Sequence, residues 1–438
     1  MRNTKIICTL GPAVDNEEAI RKLILGGMNA ARFNFSHGTH ESHLKTFRIL
    51  QRVRDELGIP VAAILDTKGP EIRIGQFADG PYDLKPGDDF TLLNEDVPGD
   101  QTKVSVSYKD LADEVSIGTR ILIDDGLIEI RVKEISGKDV ICTVVNGGAI
   151  SNNKSINIPD VHISLPAITE KDKSDIRFAA EHGFDYIAAS FVRSANDIAE
   201  IREVLKECGG ENIKIIAKVE NREGVNNLDE IIDAADGLMV ARGDLGVEIP
   251  PSEVPVLQKH MIKRSVAKAK IVVTATQMLD SMIRNPRATR AEVSDVANAV
   301  FDGTSCVMLS GETASGKYPF DALRTMVETV EMAESSIKYW KRFEVRESSI
   351  VPNGINDAIS HACCLTAKDL NAKVIIASTH SGFTARMISR FRPGCNIIAM
   401  TTDETVRRQT VLEWGVYPFI REHLDTIDGM FAACIDRA

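Results

Sequence analysis

The stretch Lys214–Glu248, KIIAKVENREGVNNLDEIIDAADGLMVARGDLGVE, decides how the rest of the chain is read. Its two apolar runs, Ile213–Val219 and Gly237–Ala241, flank a helical pattern, which predicts two buried parallel strands joined by a crossover helix. The first run ends in Lys218 and Glu220, the second in Arg242 and Asp244. Side chains alternate along a strand, so Lys218 and Glu220 are expected on one side, with Asp244 of the parallel neighbour level with them. Two carboxylates at adjacent strand ends suit Mg²⁺ or Mn²⁺, hard cations that take oxygen ligands. A lysine beside them suits a phosphoryl group or a developing oxyanion. A structural lysine–glutamate pair capping the sheet reads the same residues equally well, so the decision falls to the rest of the chain.

Working outward, similar units recur. Upstream lie Lys5–Leu10, Ala30–Phe35 and Val61–Leu65. The first is followed by a helix capped by Asp15, with Glu18 completing a capping box, and the second by a helix over His40–Leu57. Downstream, after a helix opened by Thr169 and Glu170, come Tyr186–Ser190, the two runs above, Ile271–Ala275 and Ser305–Leu309. Eight strand–helix units predict a (β/α)₈ barrel. The residues at the strand ends are Thr9; Asn34 and Ser36; Asp66 and Thr67; Ser190; Lys218 and Glu220; Arg242 and Asp244; Thr276; Ser310 and Glu312. In such barrels that rim is the active face, and polar groups at every strand end argue for an enzyme.

Between the third and fourth strands the texture changes. Short alternating runs, Phe90–Leu93, Thr119–Ile123, Leu127–Val132 and Val140–Val145, are separated by turn signals such as Pro86-Gly87-Asp88 and Asp124-Asp125-Gly126. They predict a small antiparallel β barrel or sandwich inserted at 70–166, a lid on a barrel domain formed by 1–69 and 167–340. A charged connector, Lys338 to Glu347, leads to an open α/β domain at 341–438. There a helix is expected over Ala358–Leu370, strands at Val374–Ser378 and Ile397–Thr401, and helical patterns at Arg407–Glu413 and around Ile427, Met430, Phe431, Cys434 and Ile435. The turn after Val374–Ser378 offers Ser378, Ser381, Gly382 and Thr384 just before a helix, the form of a phosphate cradle or of an ordinary βα loop.

At 438 residues the chain exceeds one core, and its net charge of −11 argues against a general nucleic-acid binder. Any anionic substrate must be held by local cations or metal. Met1 runs directly into an apolar strand without a signal-peptide pattern, and no apolar run reaches the length of a membrane span. The eight cysteines, among them Cys142, Cys306, Cys363 and Cys364, lack metal-ligand spacing and read as buried thiols of a reducing compartment. The expectation is a cytoplasmic globular enzyme.

With these residues in place, the chain resembles the pyruvate kinase family along its length. The motifs are NFSHG at Asn34–Gly38, LDTKGPEIR at Leu65–Arg73, AKVEN at Ala217–Asn221, ARGDLGVE at Ala241–Glu248, TQMLDSMIRNPRATRAEVSDVANAV at Thr276–Val300 and LSGETA at Leu309–Ala314. The resemblance implies phosphoryl transfer from phosphoenolpyruvate to ADP, giving pyruvate and ATP. By the same resemblance Glu220 and Asp244 would hold Mg²⁺, Lys218 would stabilise the phosphoryl group and the enolate, and Arg32 would clamp the phosphate. Gly243, Asp244 and Thr276 would receive the substrate carboxylate. Asn34, Ser36, Asp66 and Thr67 would hold K⁺, and Glu71 matches the K⁺-requiring members. Arg73, Lys154, Asn34 and His37 would meet the nucleotide, while Ser190 and Arg242 would orient neighbours or serve a subunit contact.

The resemblance also implies a homotetramer and a sugar-phosphate or AMP effector bound by Ser378, Ser381, Gly382 and Thr384. Two departures stand out. Ser305-Cys306 replaces the family's usual Asp-Ala, which should affect packing more than chemistry. The chain also stops at Ala438, short of strands that usually complete the small domain, which places effector control in doubt. Two alternatives remain at this stage: another metal-dependent barrel enzyme handling pyruvate enolate, and a catalytically idle truncated homologue that acts by binding.

Overall fold

The eight buried runs close into a parallel barrel in the computed structural model, which describes residues 2–347 and 354–421. The strands are Lys5–Leu10, Ala30–Asn34, Ala62–Asp66, Tyr186–Ala189, Lys214–Val219, Gly237–Ala241, Ile271–Ala275 and Cys306–Leu309. They follow one another around the barrel, and Lys5 pairs with Cys306 to complete the ring. Both faces of these strands are buried, hence their near-continuous apolar character. Ile7, Ile64, Ile216, Met239 and Met308 fill the interior, with Ala30, Ala62 and Ala188 as the small partners that let the layers fit. Alternate residues such as Ile6, Leu65 and Val240 face the outer helices.

Helix starts follow local hydrogen bonding. Thr39, Thr169 and Thr289 each form reciprocal capping boxes, with Ser42, Asp172 and Glu292. At the first helix the expected cap is corrected by one residue. Asn16, not Asp15, caps Glu17–Leu25, its Oδ1 accepting from the Ala19 amide at 3.0 Å, so Glu18 falls one position short of completing a box. The Thr276–Val300 run is also not one helix. It holds a tight 3₁₀ turn at Asp280–Ile283 and an α-helix only over Arg290–Asp302, because Pro286 interrupts it.

The insert forms a seven-stranded sheet around its own apolar core, which includes Phe90, Ile121, Ile130, Val132 and Val140. Its edges meet through an Ile74–Val106 bridge, and the Gly75 amide donates to the Ser105 carbonyl at 2.8 Å, so the sheet curls shut. One pair departs from the expected antiparallel pattern: Asp89–Leu93 runs parallel to Lys103–Ser105.

The last segment carries a three-stranded parallel sheet of Val374–Ser378, Asn396–Thr401 and Val416–Ile420. The expected connector is a helix, Tyr339–Glu347, whose Phe343 is buried in the core of this domain. The helix expected at Arg407–Glu413 lies instead at Glu404–Thr410, and the turn after it enters the barrel. Val411 and Leu412 join the interior layer from below, closing the lower mouth. Around them the Tyr186 hydroxyl donates to the Gln409 carbonyl at 2.6 Å and Lys5 Nζ to the Val416 carbonyl at 2.7 Å. Arg408 pairs with buried Asp185 at 2.8 Å, and Arg392 donates to Ser305 Oγ at 3.0 Å. Ser305 is thus a packing and junction residue at the opposite end from the strand-end rim. The helical pattern expected around Ile427–Ile435 lies outside the described residues.

Candidate active site

At the upper rim the strand ends converge on Lys218. Its Nζ lies 3.0 Å from Asp66 Oδ1, 3.0 Å from Glu220 Oε1 and 2.7 Å from Ser190 Oγ. Strand alternation sets Lys218 and Glu220 on one side, and the third strand brings in Asp66. Asp66 is shared: its Oδ2 accepts from Arg32 Nε at 2.5 Å, and Arg32 also donates to Thr9 Oγ1 at 3.1 Å. Asn34 and Asp66 stand opposite each other in register on neighbouring strands. The sequence therefore placed the charges correctly but did not reveal that Asp66 couples the two cations. Ser190, expected to orient neighbours or serve a subunit contact, and Thr9, noticed only as a strand-end residue, complete that network.

The charge balance is uneven. Burial alone would lower the Lys218 ammonium pKa, but Asp66 and then Glu220 outweigh it and hold the group above its ordinary value. Burial would raise Asp66, and Arg32 and Lys218 hold it below the usual carboxylate range. Glu220 receives the smaller share of Lys218. Burial, with Asp244 adding to it, pushes its carboxyl up to about 8 despite a 2.7 Å hydrogen bond from the Phe191 amide. The oxygen donors of Glu220 and Asp244 fit a hard divalent cation. Among the described residues no group of three or more His, Cys, Asp or Glu forms a metal cluster.

Asp244 lies in the first turn of a short helix, Arg242–Glu248, rather than on the strand itself. Next to it Thr276 has φ +66° and Gln277 φ +51°. A left-handed β-branched residue is strained, by about 1–3 kcal/mol, and needs outside support. Arg242 supplies it: its guanidinium donates to the Thr276 carbonyl at 2.8 Å and pairs with Asp295 at 2.7 Å. The Gly243 amide, expected to face a substrate carboxylate, donates to Thr276 Oγ1 at 2.7 Å. Thr276 and Gly243 are thus together as expected, but bonded to each other.

The remaining residues divide between two openings. Thr9, Arg32, Asn34, His37 and Ser310 line a cavity of about 580 Å³ over the first, second and eighth strands. Ser36 is exposed beside it, and Thr67 Oγ1 accepts from the Ser190 amide at 3.2 Å. Glu71, Asn157, Asp244 and Glu248 line a second, of about 340 Å³, between lid and barrel. Arg73 is paired with Glu71 at 2.7 Å and Lys154 with Asp124 at 2.9 Å, so both lid cations have acidic partners on the lid. In the C-terminal domain Gly382, at φ +78°, precedes the helix Phe383–Ser389, and Ser378 Oγ accepts from Arg421 at 3.3 Å.

Fold and rim define a barrel enzyme whose active face combines clustered cations with two carboxylates suited to a divalent ion, under a β lid. Residues 1–323 match the pyruvate kinase barrel domain and residues 357–438 the pyruvate kinase alpha/beta domain. The chain belongs to the pyruvate kinase family and is a phosphotransferase that passes the phosphoryl group of phosphoenolpyruvate to ADP. A pyruvate kinase of Clostridium acetobutylicum is 49% identical over 439 residues, covering 100% of this chain and 93% of its own. One of Staphylococcus aureus is 50% identical over 436 residues, covering 98% and 74% respectively. A crystal structure of a pyruvate kinase from Cryptosporidium parvum superposes with a TM-score of 0.96 at 42% identity, covering 100% of this chain and 90% of that one. No helix among the described residues is long and apolar enough to cross a membrane.

Proposed function

We propose that the Lys218 cluster carries the phosphoryl transfer. The bond between phosphorus and the enol oxygen of phosphoenolpyruvate breaks, its electron pair stays on the enolate, and a terminal ADP oxygen bonds to phosphorus. Lys218 and Arg32 neutralise charge on the moving group, and Lys218 then faces the enolate oxygen. Gly243, Asp244 and Thr276 orient the substrate carboxylate through main-chain N–H groups and the Thr276 hydroxyl. Arg73, Lys154, Asn34 and His37 meet the nucleotide. Mg²⁺ or Mn²⁺, held by Glu220 and Asp244, would supply positive charge where the carboxylate and phosphoryl group come together. Asn34, Ser36, Asp66 and Thr67 offer the oxygen donors for K⁺.

The observation that supports this reading best is the convergence of Asp66, Glu220 and Ser190 on Lys218 at the strand ends, with Asp244 in the first turn of the adjoining helix. The test is a coupled assay for pyruvate. Turnover is expected to require a divalent cation and to fall when Na⁺ replaces K⁺. Full activity in excess chelator would overturn the metal assignment, and indifference to K⁺ the monovalent one.

The assembly proposed is a homotetramer, supported by exposed Val256, Val293 and Phe301 on barrel helices and testable by light scattering. A sugar-phosphate or AMP effector is assigned to Ser378, Ser381, Gly382 and Thr384. Activation of the purified enzyme by either class, lost in Thr384→Ala, is the expected result. The seven free cysteines among the described residues support a cytoplasmic setting.

A further inference from the structure

The lid touches the barrel beside the residues that carry the two carboxylates. Asn157, at the end of the lid strand Ser155–Asn157, donates from Nδ2 to Glu248 Oε1 at 2.8 Å. A β-carbon at Gly126, in a neighbouring lid turn, would stand 3.7 Å from Val247. The hydrogen bond falls on the last residue of the helix Arg242–Glu248, and the Gly126 turn lies near the residue before it; the first turn of the helix holds Gly243 and Asp244. That helix is short, roughly 10 Å long, so a tilt at one end reaches the other within about two turns. Its first turn is bonded to Thr276 and its middle is anchored by fully buried Leu245. Its far end is held by the lid.

Two more contacts show how the lid bears on this helix. Arg193 donates to the carbonyls of Ile163 and Leu165, at 3.0 and 2.7 Å, pinning the segment through which the lid rejoins the barrel. His162 Nδ1 lies 3.0 Å from Glu223 Oε2, three residues beyond Glu220. The return of the lid to the barrel is thus held, and the Asn157 contact lies where the lid meets the carboxylate-bearing helix. Lys154 pairs with Asp124 in the same lid turn as Gly126, so a nucleotide phosphate drawn to Lys154 would act on a turn that lies near Val247.

We propose that Glu248 is a positioning residue: through its hydrogen bond from Asn157, closure of the lid sets the helix that presents Gly243 and Asp244. The inference rests on Asp244 being a metal ligand, as proposed above. Asn157→Ala and Glu248→Ala remove the bond, whereas Glu248→Gln keeps an accepting oxygen. The whole enzyme would be assayed for kcat, and its Mn²⁺ affinity followed by the spin-resonance signal of free Mn²⁺ with phosphoenolpyruvate present. Each alanine variant is expected to lose about tenfold in kcat and several-fold in Mn²⁺ affinity, the scale of one hydrogen bond to a charged group, with an unchanged thermal midpoint. Glu248→Gln is expected to stay within about twofold of the parent in both. Asn157→Ala within twofold of the parent in both measurements would overturn the proposal, as would Glu248→Gln as impaired as Glu248→Ala. A parent enzyme with no metal-dependent turnover would instead overturn the functional reading, while Mn²⁺ binding would still judge this one.

Discussion

The two ends of the barrel bury charge in opposite ways. At the upper rim Lys218 is divided between Asp66 and Glu220, and Asp244 and Arg32 around them line open cavities. At the lower mouth the charges are committed to fixed protein partners. Asp185 accepts from the Ala63 amide at 2.8 Å and pairs with Arg408, with Arg54 3.7 Å away. Lys5 is satisfied by the Val416 carbonyl and lies over the Tyr417 ring. The difference teaches that burial of charge alone does not mark a functional site. What marks the rim is that its charged groups border open cavities, whereas those at the base are packed between the barrel and the C-terminal segment.

Substitutions at the two ends should therefore fail differently. The largest effect is expected for Lys218→Met at the rim: turnover should fall at least ~100-fold while the circular-dichroism spectrum is retained. Near-normal turnover would remove Lys218 from the chemistry. At the base, Asp185→Asn strips buried Arg54 and half-buried Arg408 of their counter-charge and should cost about 3 kcal/mol in denaturant unfolding, with kcat per folded molecule unchanged. Lost activity in the folded fraction would mean that the ends are not independent.

Glu413 sharpens the comparison through pH. Burial raises its carboxyl to about 7, against an ordinary 4.5, with Arg386 and Arg392 pulling the other way and Asp236 adding to the rise. The folded protein then holds a proton that the unfolded chain releases between those values. This contribution to stability is full below 4.5 and is lost as pH rises through 7. Glu413→Gln should flatten the fall in thermal midpoint between about pH 5 and 7 relative to the parent. Parallel curves would show that the carboxyl ionises normally. The smallest effect is expected for Tyr186→Phe, which removes one buried hydrogen bond to the Gln409 carbonyl at the base and should cost about 1 kcal/mol without changing turnover.

Much of this was legible in the sequence because barrel strands are short apolar runs ending in polar residues, and because strand alternation fixes which of those residues share a side. Lys218 beside Glu220 follows directly from that spacing. Long-range pairing was not legible: nothing local connects Asp66 to both Arg32 and Lys218, or Arg242 to the strained Thr276. The parallel pair in the lid escaped for the same reason, since alternation reports a strand but not its neighbour. The helix Tyr339–Glu347 was hidden by composition. Its buried Phe343 is surrounded by charges, so the apolar stripe is too narrow to stand out from a connector.

The Val411–Leu412 turn also bears on how the chain can be divided. These two side chains belong to the same apolar layer as Ile7, Ile64 and Met239, so the barrel borrows its floor from another part of the polypeptide. A fragment ending at residue 340 would carry every rim residue named above yet have an open floor, with its inner layer facing water from below. To engineer a free-standing barrel from this enzyme, the first element to design is a new floor, because the present one is on loan.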